Sequence, residues 1–418
     1  MTRVIVIGAG AVGLASAYYL RKAGHDVTVV DQAPLAAKAS GHNAGWLIPS
    51  MSTPVPAPGM MLQAMKWMVQ PDSPLYVTPS LKPSFIGFML RMLRSCTDSK
   101  FREGSAVLAA LSATALSDFD ELAAEGVEFE QHDEPLAMLF TNGHKVEGRV
   151  TELELLDGKL PGFSWNHMSD ADLKAHKPVL SDRVAAGIES RGDRSVDPGS
   201  FVRGLAAACE REGVELRLGA PATLETGAGG SVAVRVGSAT HGSELLSADR
   251  VVVAAGAWTN EVLKGIGERV PLQSGKGYGY DFPVVPGGPT KPIYLAEAKV
   301  AITPLDTKVR LAGTMGFTGV DESIKRRRAG GILTGVSSYF EGWPDIEGAP
   351  EPWTGLRPTT PDGLPIIGAL AKHPSVLVAT GHVMLGISLA PTTGKLITDL
   401  VAGGPVPELL RGVSADRF

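Results

Sequence analysis

The chain has 418 residues, more than one simple core accommodates and enough for two domains. Its 44% hydrophobic and 20% charged content, with 50 glycines, describes a soluble α/β protein rich in turns. A net charge of −5 gives no reason to expect nucleic acid as a partner, and the short basic run at 325–328 reads as a solvated helix face.

The chain opens with "TRVIVIGAGAVGLASAYYLRKAGHDVTVVD", which reads strand, tight turn, helix, strand. Val4 to Ile7 form a β-branched run of the kind buried on both faces in a parallel sheet. Leu14 to Ala23 reads as a helix that Gly24 ends as a left-handed cap. Between strand and helix stands Gly8-x-Gly10-x-x-Gly13, and Asp31 follows eighteen residues after the last glycine. Gly8 permits the sharp turn, Gly10 lets backbone approach a pyrophosphate, and Gly13 lets helix pack on strand. The helix N-terminus turns its partial positive charge to the phosphates. A dinucleotide is therefore expected on Gly8, Gly10, Ala11, Val12, Gly13, Asp31 and Gln32. The fingerprint does not separate NAD from FAD.

The next stretch, "KASGHNAGWLIPS" at 38–50, has neither helical nor strand periodicity and reads as an ordered loop. Residues 51–80 are rich in proline and methionine and read as an irregular connector, and 82–128 turns helical. Within that part "SFIGFMLRMLRS" (84–95) reads as a helix buried under a loop, with contact to a membrane face as the alternative. Residues 197–217 repeat the helix-then-strand logic of the first unit, and "RVVVAAG" (250–256) is a further strand. The region 271–345 alternates short β-rich runs with Gly and Pro turns, which predicts an antiparallel sheet; the tail from 353 returns to α/β character.

Three features favour FAD over NAD. The strand at 250–256 leads into small residues that let backbone approach a cofactor at Ala254, Ala255, Gly256 and Trp258. A strand and turn near Ala222 suit an adenine ring. The 38–50 loop suits a path along a long dinucleotide, with Ser40, His42, Asn43, Ala44, Gly45 and Trp46 in contact. Cys96 and Cys209 match no metal or redox spacing and read as reduced thiols, so no metal is expected. No signal peptide and no membrane-spanning run of ~18 apolar residues is read, so a cytoplasmic location is expected, with the inner face of the cell membrane as the place of any peripheral contact.

"WTGLRPTTPDGLPIIG" (353–368) followed by "ATGHVMLGISLAPTTGKLITDLVAG" (379–403) resembles the C-terminal signature of the D-amino acid oxidase superfamily of FAD oxidoreductases, closest to its bacterial D-amino acid dehydrogenases. "PAPGMMLQAMKWMVQPDSPLYVTPSL", "FMLRMLRSC" and "KGYGY" resemble the same subgroup in the same order. The resemblance covers essentially the whole chain. It implies a discontinuous Rossmann-like FAD-binding domain of the glutathione-reductase kind, here 1–80, 195–265 and 350–418, and an α+β substrate domain on an antiparallel sheet, 81–194 and 266–349.

On this resemblance Arg357, in "GLRP", pairs with a substrate carboxylate, and Tyr278, in "KGYGY", hydrogen-bonds the same substrate, with Tyr280 as a weaker candidate on the same side of the strand. Gly381, Leu385, Gly386 and Ile387 bring backbone amides and a helix N-terminus to the flavin, with His382 as a positional neighbour rather than a base. Lys276 is either a solvated neighbour or close to the flavin. His42 is expected to touch FAD without a bond; a covalent tether, as in dimethylglycine dehydrogenases, is the alternative. Trp46 departs from the subgroup, where a polar residue is common, and bears on which substrate fits. The implied activity is oxidative deamination of an amino acid, a D-amino acid first, with electrons passing to a quinone or other carrier. An oxygen-using amine oxidase of the glycine or sarcosine oxidase kind, a D-hydroxyproline or other secondary-amine dehydrogenase, and a non-catalytic flavoprotein stand as alternatives.

Overall fold

The computed structural model describes residues 1–59, 75–78, 80–227, 232–238, 242–404 and 408–418. Much of the Pro- and Met-rich connector, and of the resemblance at 56–81, lies outside the described residues.

A six-stranded sheet holds the glycine fingerprint. Its order is Glu215–Leu218, Asp26–Asp31, Arg3–Ile7, Arg250–Val253, Val376–Thr380 and Ile366–Ala369, so the start, middle and end of the chain all contribute. Every pair is parallel except the last, Ile366–Ala369 on Val376–Thr380. Strand side chains alternate in direction, which divides the core in two. Val4 and Val6 pack with Leu14, Phe201 and Ile397 from the helices Ala11–Lys22, Pro198–Arg211 and Ala390–Val401. Ile5 and Ile7 pack on the opposite face with Leu224 and Val234, from a small antiparallel sheet that begins at Ala222–Thr226. Both faces are covered, as a parallel sheet requires.

The second sheet has nine strands. From one edge it runs Trp353–Thr359, Gln273–Pro283, Lys308–Phe317, Val300–Pro304, Ile293–Leu295, Leu136–Phe140, Ala186–Arg191 and Ser164–His167, and Leu75–Val77 also pairs with Lys308–Phe317. It is mixed rather than purely antiparallel, because Ile293–Leu295 lies parallel to Leu136–Phe140 and Leu75–Val77 parallel to Lys308–Phe317. The strand Trp353–Thr359 belongs to this large sheet, and the chain then crosses to the six-stranded sheet at Ile366. Arg357 therefore stands where the chain passes between the two sheets.

The helix Pro83–Ser95 is apolar on two sides. Phe88 and Met92 are buried with Phe317, whose ring lies 5.9 Å from that of Phe88. Ile86, Leu90 and Leu93 point outward, 44%, 52% and 45% exposed. Among the described residues no helix is long and apolar enough to cross a membrane. The basic run begins the helix Arg326–Ser337; Arg326 pairs with Glu351, while Arg328 stacks on Tyr76 at 4.1 Å rather than lying wholly in solvent.

Candidate active site

The turn at Gly8 is built by contact as much as by conformation. Gly8 has φ +118, and a Cβ there would stand 2.8 Å from the carbonyl carbon of Ala254. At Gly13 a Cβ would meet the carbonyl group of Gly8, so this glycine lets the helix Ala11–Lys22 sit on its strand. Gly10 offers no side-chain cap and no acid lies in the first turn, which leaves the positive end of the helix free to face an anion. Ser40 Oγ accepts from Ala11 N at 3.1 Å and so docks the 38–50 loop against that end. The Asp31 carboxylate accepts from Ala9 N and Ala33 N, both at 2.7 Å, bracing the turn from the end of the second strand.

From this turn a cavity of about 1050 Å³ extends to the large sheet. Gly8, Gly10, Val12, Asp31 and Gln32 line one end. Ala222, Ala254, Ala255, Gly256 and Trp258 line it beside them. Ser40, His42, Asn43, Ala44, Gly45 and Trp46 form one wall, and Arg357, His382, Leu385, Gly386 and Ile387 also face it. Ala11, Gly13 and Gly381 are not among the lining residues; Gly381, at φ +78, serves a turn in which a Cβ would collide with the Thr360 side chain.

The loop wall is fastened from within and from behind. Asn43 Nδ2 donates to the carbonyls of Ala39 and Ser40, both at 2.9 Å, and its Oδ1 accepts from Gly45 N at 2.8 Å. Arg310 Nη1 donates to the carbonyls of Gly41 and Asn43 at 3.1 and 3.0 Å. Its Nε and Nη2 meet the two carboxylate oxygens of Asp281, each at 2.8 Å. Thr303 Oγ1 donates to Ala44 O, and Ser388 Oγ to Trp46 O. The His42 ring lies 5.5 Å from that of Trp353, whose Nε1 donates to Asp281 at 3.1 Å. Burial, and then the nearby Arg310 charge, lower the His42 pKa and favour the neutral ring. Trp46 is buried against the cavity, edge-on to Tyr294 at 6.0 Å.

At the far end Arg357 lies in the strand Trp353–Thr359 with its guanidinium open to the cavity. Nη1 donates to Thr314 O at 2.7 Å, and among the described residues no carboxylate pairs with it. Burial pushes its pKa down to about 10, the mark of a charge that lacks a counter-ion. Thr314 is a β-branched residue at φ 63, a strained conformation at a place where the ladder to Gln273–Pro283 is irregular. His382 Nε2 lies 2.9 Å from Thr393 Oγ1, and burial pushes the His382 pKa down to about 4. It is neutral near pH 7 and a weak base, as suits a positional residue.

Tyr278 is a correction. It is 5% exposed and packs with Tyr280, Ile332 and Leu333 under the helix Arg326–Ser337, on the face of its strand away from the cavity. Gly277, between Lys276 and Tyr278, faces the cavity in its place. Lys276 is also fully buried on the far side, with Nζ at 2.7 Å from Asp321 Oδ2 and 2.8 Å from Ser323 O. The pairing Asp281–Arg310 was not anticipated, because two unremarkable residues become cross-strand partners only once the register is known.

The glycine turn, the open helix start and the long cavity between two sheets define a dinucleotide-dependent enzyme. A family model described as DAO, FAD dependent oxidoreductase, matches residues 3–400. The chain is 33% identical over 414 residues to a D-amino acid dehydrogenase of Xanthobacter autotrophicus, covering 97% of this chain and 96% of that protein. It is 34% identical over 410 residues to a D-amino acid dehydrogenase of Methylobacterium nodulans, covering 96% and 95%. Among solved structures, glycine oxidase from Geobacillus kaustophilus matches with a TM-score of 0.74 at 20% identity over 100% of both chains. L-Proline dehydrogenase from P. horikoshii matches with a TM-score of 0.72 at 15% identity over 100% and 97%.

The chain belongs to the DAO family of FAD-dependent oxidoreductases. Its cofactor is FAD, and the residues fit it: Gly8 and Gly10 leave backbone bare at the turn where phosphates would pass, and the first turn of the helix carries no acid. The fastened 38–50 loop is a preformed wall of the cavity, against which the rest of a long dinucleotide would fit.

Proposed function

We propose that the protein oxidises the Cα–N bond of an amino acid, a D-amino acid before others, and passes the electrons to a quinone or other carrier. The observation that carries this reading is Arg357, a half-buried arginine that lines the cavity and has no acidic partner among the described residues. A carboxylate entering there replaces lost hydration with a bidentate, charge-assisted pair. That pair orients the α-carbon, and orientation supplies most of what such a reaction needs. FAD, when bound, supplies the two-electron acceptor for the hydride that leaves the α-carbon. The amine enters neutral; hydride loss leaves an iminium whose nitrogen gives up one proton to water, and the resulting imine is hydrolysed to a 2-oxo acid and ammonia. Neutral His382 holds Thr393 rather than taking that proton. Apolar Leu385 and Ile387 limit water around the reacting carbon.

The D-amino acid reading draws on the two relatives named D-amino acid dehydrogenase at 33–34% identity. Trp46 and the half-exposed Met384, 55% exposed at the cavity, bear on side-chain size. A carrier in a membrane is supported by Ile86, Leu90 and Leu93, which form an exposed apolar stripe on a helix that carries Arg91 and Arg94 and no acid.

The test is anaerobic addition of D-amino acids, L-amino acids and N-methyl amines to the FAD-loaded protein, followed by admission of oxygen or a soluble quinone. Bleaching by D-amino acids with fast re-oxidation by the quinone supports the proposal. Stoichiometric hydrogen peroxide would move the assignment to an oxidase, preference for an N-methyl or cyclic amine to a secondary-amine dehydrogenase, and no bleaching at all to a non-catalytic flavoprotein.

A further inference from the structure

Residues 276–280 read Lys-Gly-Tyr-Gly-Tyr, and the tyrosines turn away from the cavity. Glycine within a strand gives up packing and restraint, so its presence marks a close approach by another group. Neither Gly277 nor Gly279 has a positive φ, so backbone conformation does not call for glycine at either place. Space does. A Cβ on Gly277 would stand 2.8 Å from both Cζ and Nη2 of Arg357, and closer still to Nη1. The guanidinium lies on bare backbone, held there by the Thr314 carbonyl at 2.7 Å. Arg357 reaches Gly277 diagonally, being the register partner of Gly275, whereas at Gly279 a Cβ would enter the indole ring of Trp353, its direct register partner.

We propose that Gly277 is a positioning residue that seats the Arg357 guanidinium flat against the sheet and so sets the angle at which a substrate carboxylate is held. This rests on the reading of Arg357 as the carboxylate anchor. A methyl group at 277 would lift the guanidinium off the strand and break its alignment with the Thr314 carbonyl. The carboxylate would then be met by a charge in the wrong place, with the α-carbon displaced along with it. The part of "KGYGY" that serves the site is thus its first glycine rather than its tyrosines.

The experiment uses the FAD-loaded enzyme and benzoate, a carboxylate that cannot react, with binding read from the visible flavin spectrum. Gly277→Ala is expected to weaken benzoate roughly tenfold or more, to raise the KM of the best amino acid substrate by a similar factor, and to lower kcat at least tenfold as well, because the α-carbon is displaced with the carboxylate. Tyr278→Phe should leave benzoate affinity unchanged. In an Arg357→Lys background the added methyl should cost less than about threefold, because an ammonium has no planar fork to displace. Unchanged benzoate affinity in Arg357→Leu would overturn the anchor reading itself. Weakened binding in Arg357→Leu without an effect of Gly277→Ala, or an equal cost of Gly277→Ala in both backgrounds, would overturn the seat alone. Should Gly277→Ala fail to fold with FAD, recovery in Gly277→Ala/Arg357→Lys supports the proposal and continued failure contradicts it.

Discussion

Arg310 and Asp281 face each other across two strands of the large sheet in a two-point ion pair, and Arg310 alone spans from that pair to the carbonyls of Gly41 and Asn43. The 38–50 loop, a wall of the cavity, is therefore tied to the large sheet by this guanidinium, together with Thr303 on Ala44 O. Substitution of Asp281 by Ala leaves that buried charge without its partner. Removing one member of a buried pair costs about 3–5 kcal/mol, and the half-buried position of Asp281 puts this case at the lower end. The expected outcome is a lower melting temperature and easier loss of FAD on dilution, read by calorimetry and by flavin fluorescence. A variant that keeps both would show that Arg310 holds the loop without its Asp281 partner.

His42 lies beside Trp353, and burial and then the Arg310 charge lower its pKa. We expect FAD to be held without a covalent bond. Acid-precipitated protein should release all of its yellow colour, and His42→Ala should still copurify with FAD at reduced affinity. A flavin-fluorescent band on a denaturing gel, lost in His42→Ala, would reverse this.

The fingerprint Gly8-x-Gly10-x-x-Gly13 with Asp31 was legible because its physics is local: a turn, a helix start and an acid at a strand end within one short unit. The 38–50 loop and Arg357 were singled out by composition and resemblance, and both line the cavity. Tyr278 was misread because the face that a strand residue presents depends on register, and here the ladder is irregular between Lys276 and Tyr278. The tie through Arg310 and Asp281 left no mark in the sequence, since partners 29 residues apart meet only after two strands pair. The mixed character of the large sheet escaped notice for a like reason: its parallel pairs join segments far apart in the chain.

His382 gives the enzyme an acid-side weakness. Its folded pKa is about 4, below the ~6.5 of an unfolded histidine. Between those values the unfolded chain binds a proton that the folded chain does not, so stability falls as pH drops from about 6.5 toward 4. The loss from this one residue is roughly 2–4 kcal/mol. His42 and His176, whose pKa values are also lowered chiefly by burial, act in the same direction. His382→Gln should show a shallower fall of melting temperature across this range than the unaltered protein. Parallel curves would mean that the His382 proton is not involved.

The outward stripe Ile86, Leu90 and Leu93 leads to a surface prediction. Burying each such side chain contributes about 1.5–3 kcal/mol, so replacing all three by Ser should reduce cosedimentation with anionic lipid vesicles at least tenfold. Amino acid oxidation with a soluble acceptor should be unaffected. Equal sedimentation of both proteins would remove the membrane face from the account.

The most direct test of the central claim compares a D-amino acid with the amine that lacks its carboxylate, for example D-alanine and ethylamine, in anaerobic flavin reduction by the unaltered enzyme and by Arg357→Leu. Rapid reduction by the D-amino acid alone is expected, with kcat/KM falling at least a hundredfold in Arg357→Leu, about 2.7 kcal/mol of lost binding in the transition state. Equal reduction by the amine, or an Arg357→Leu variant as active as its parent, would contradict it.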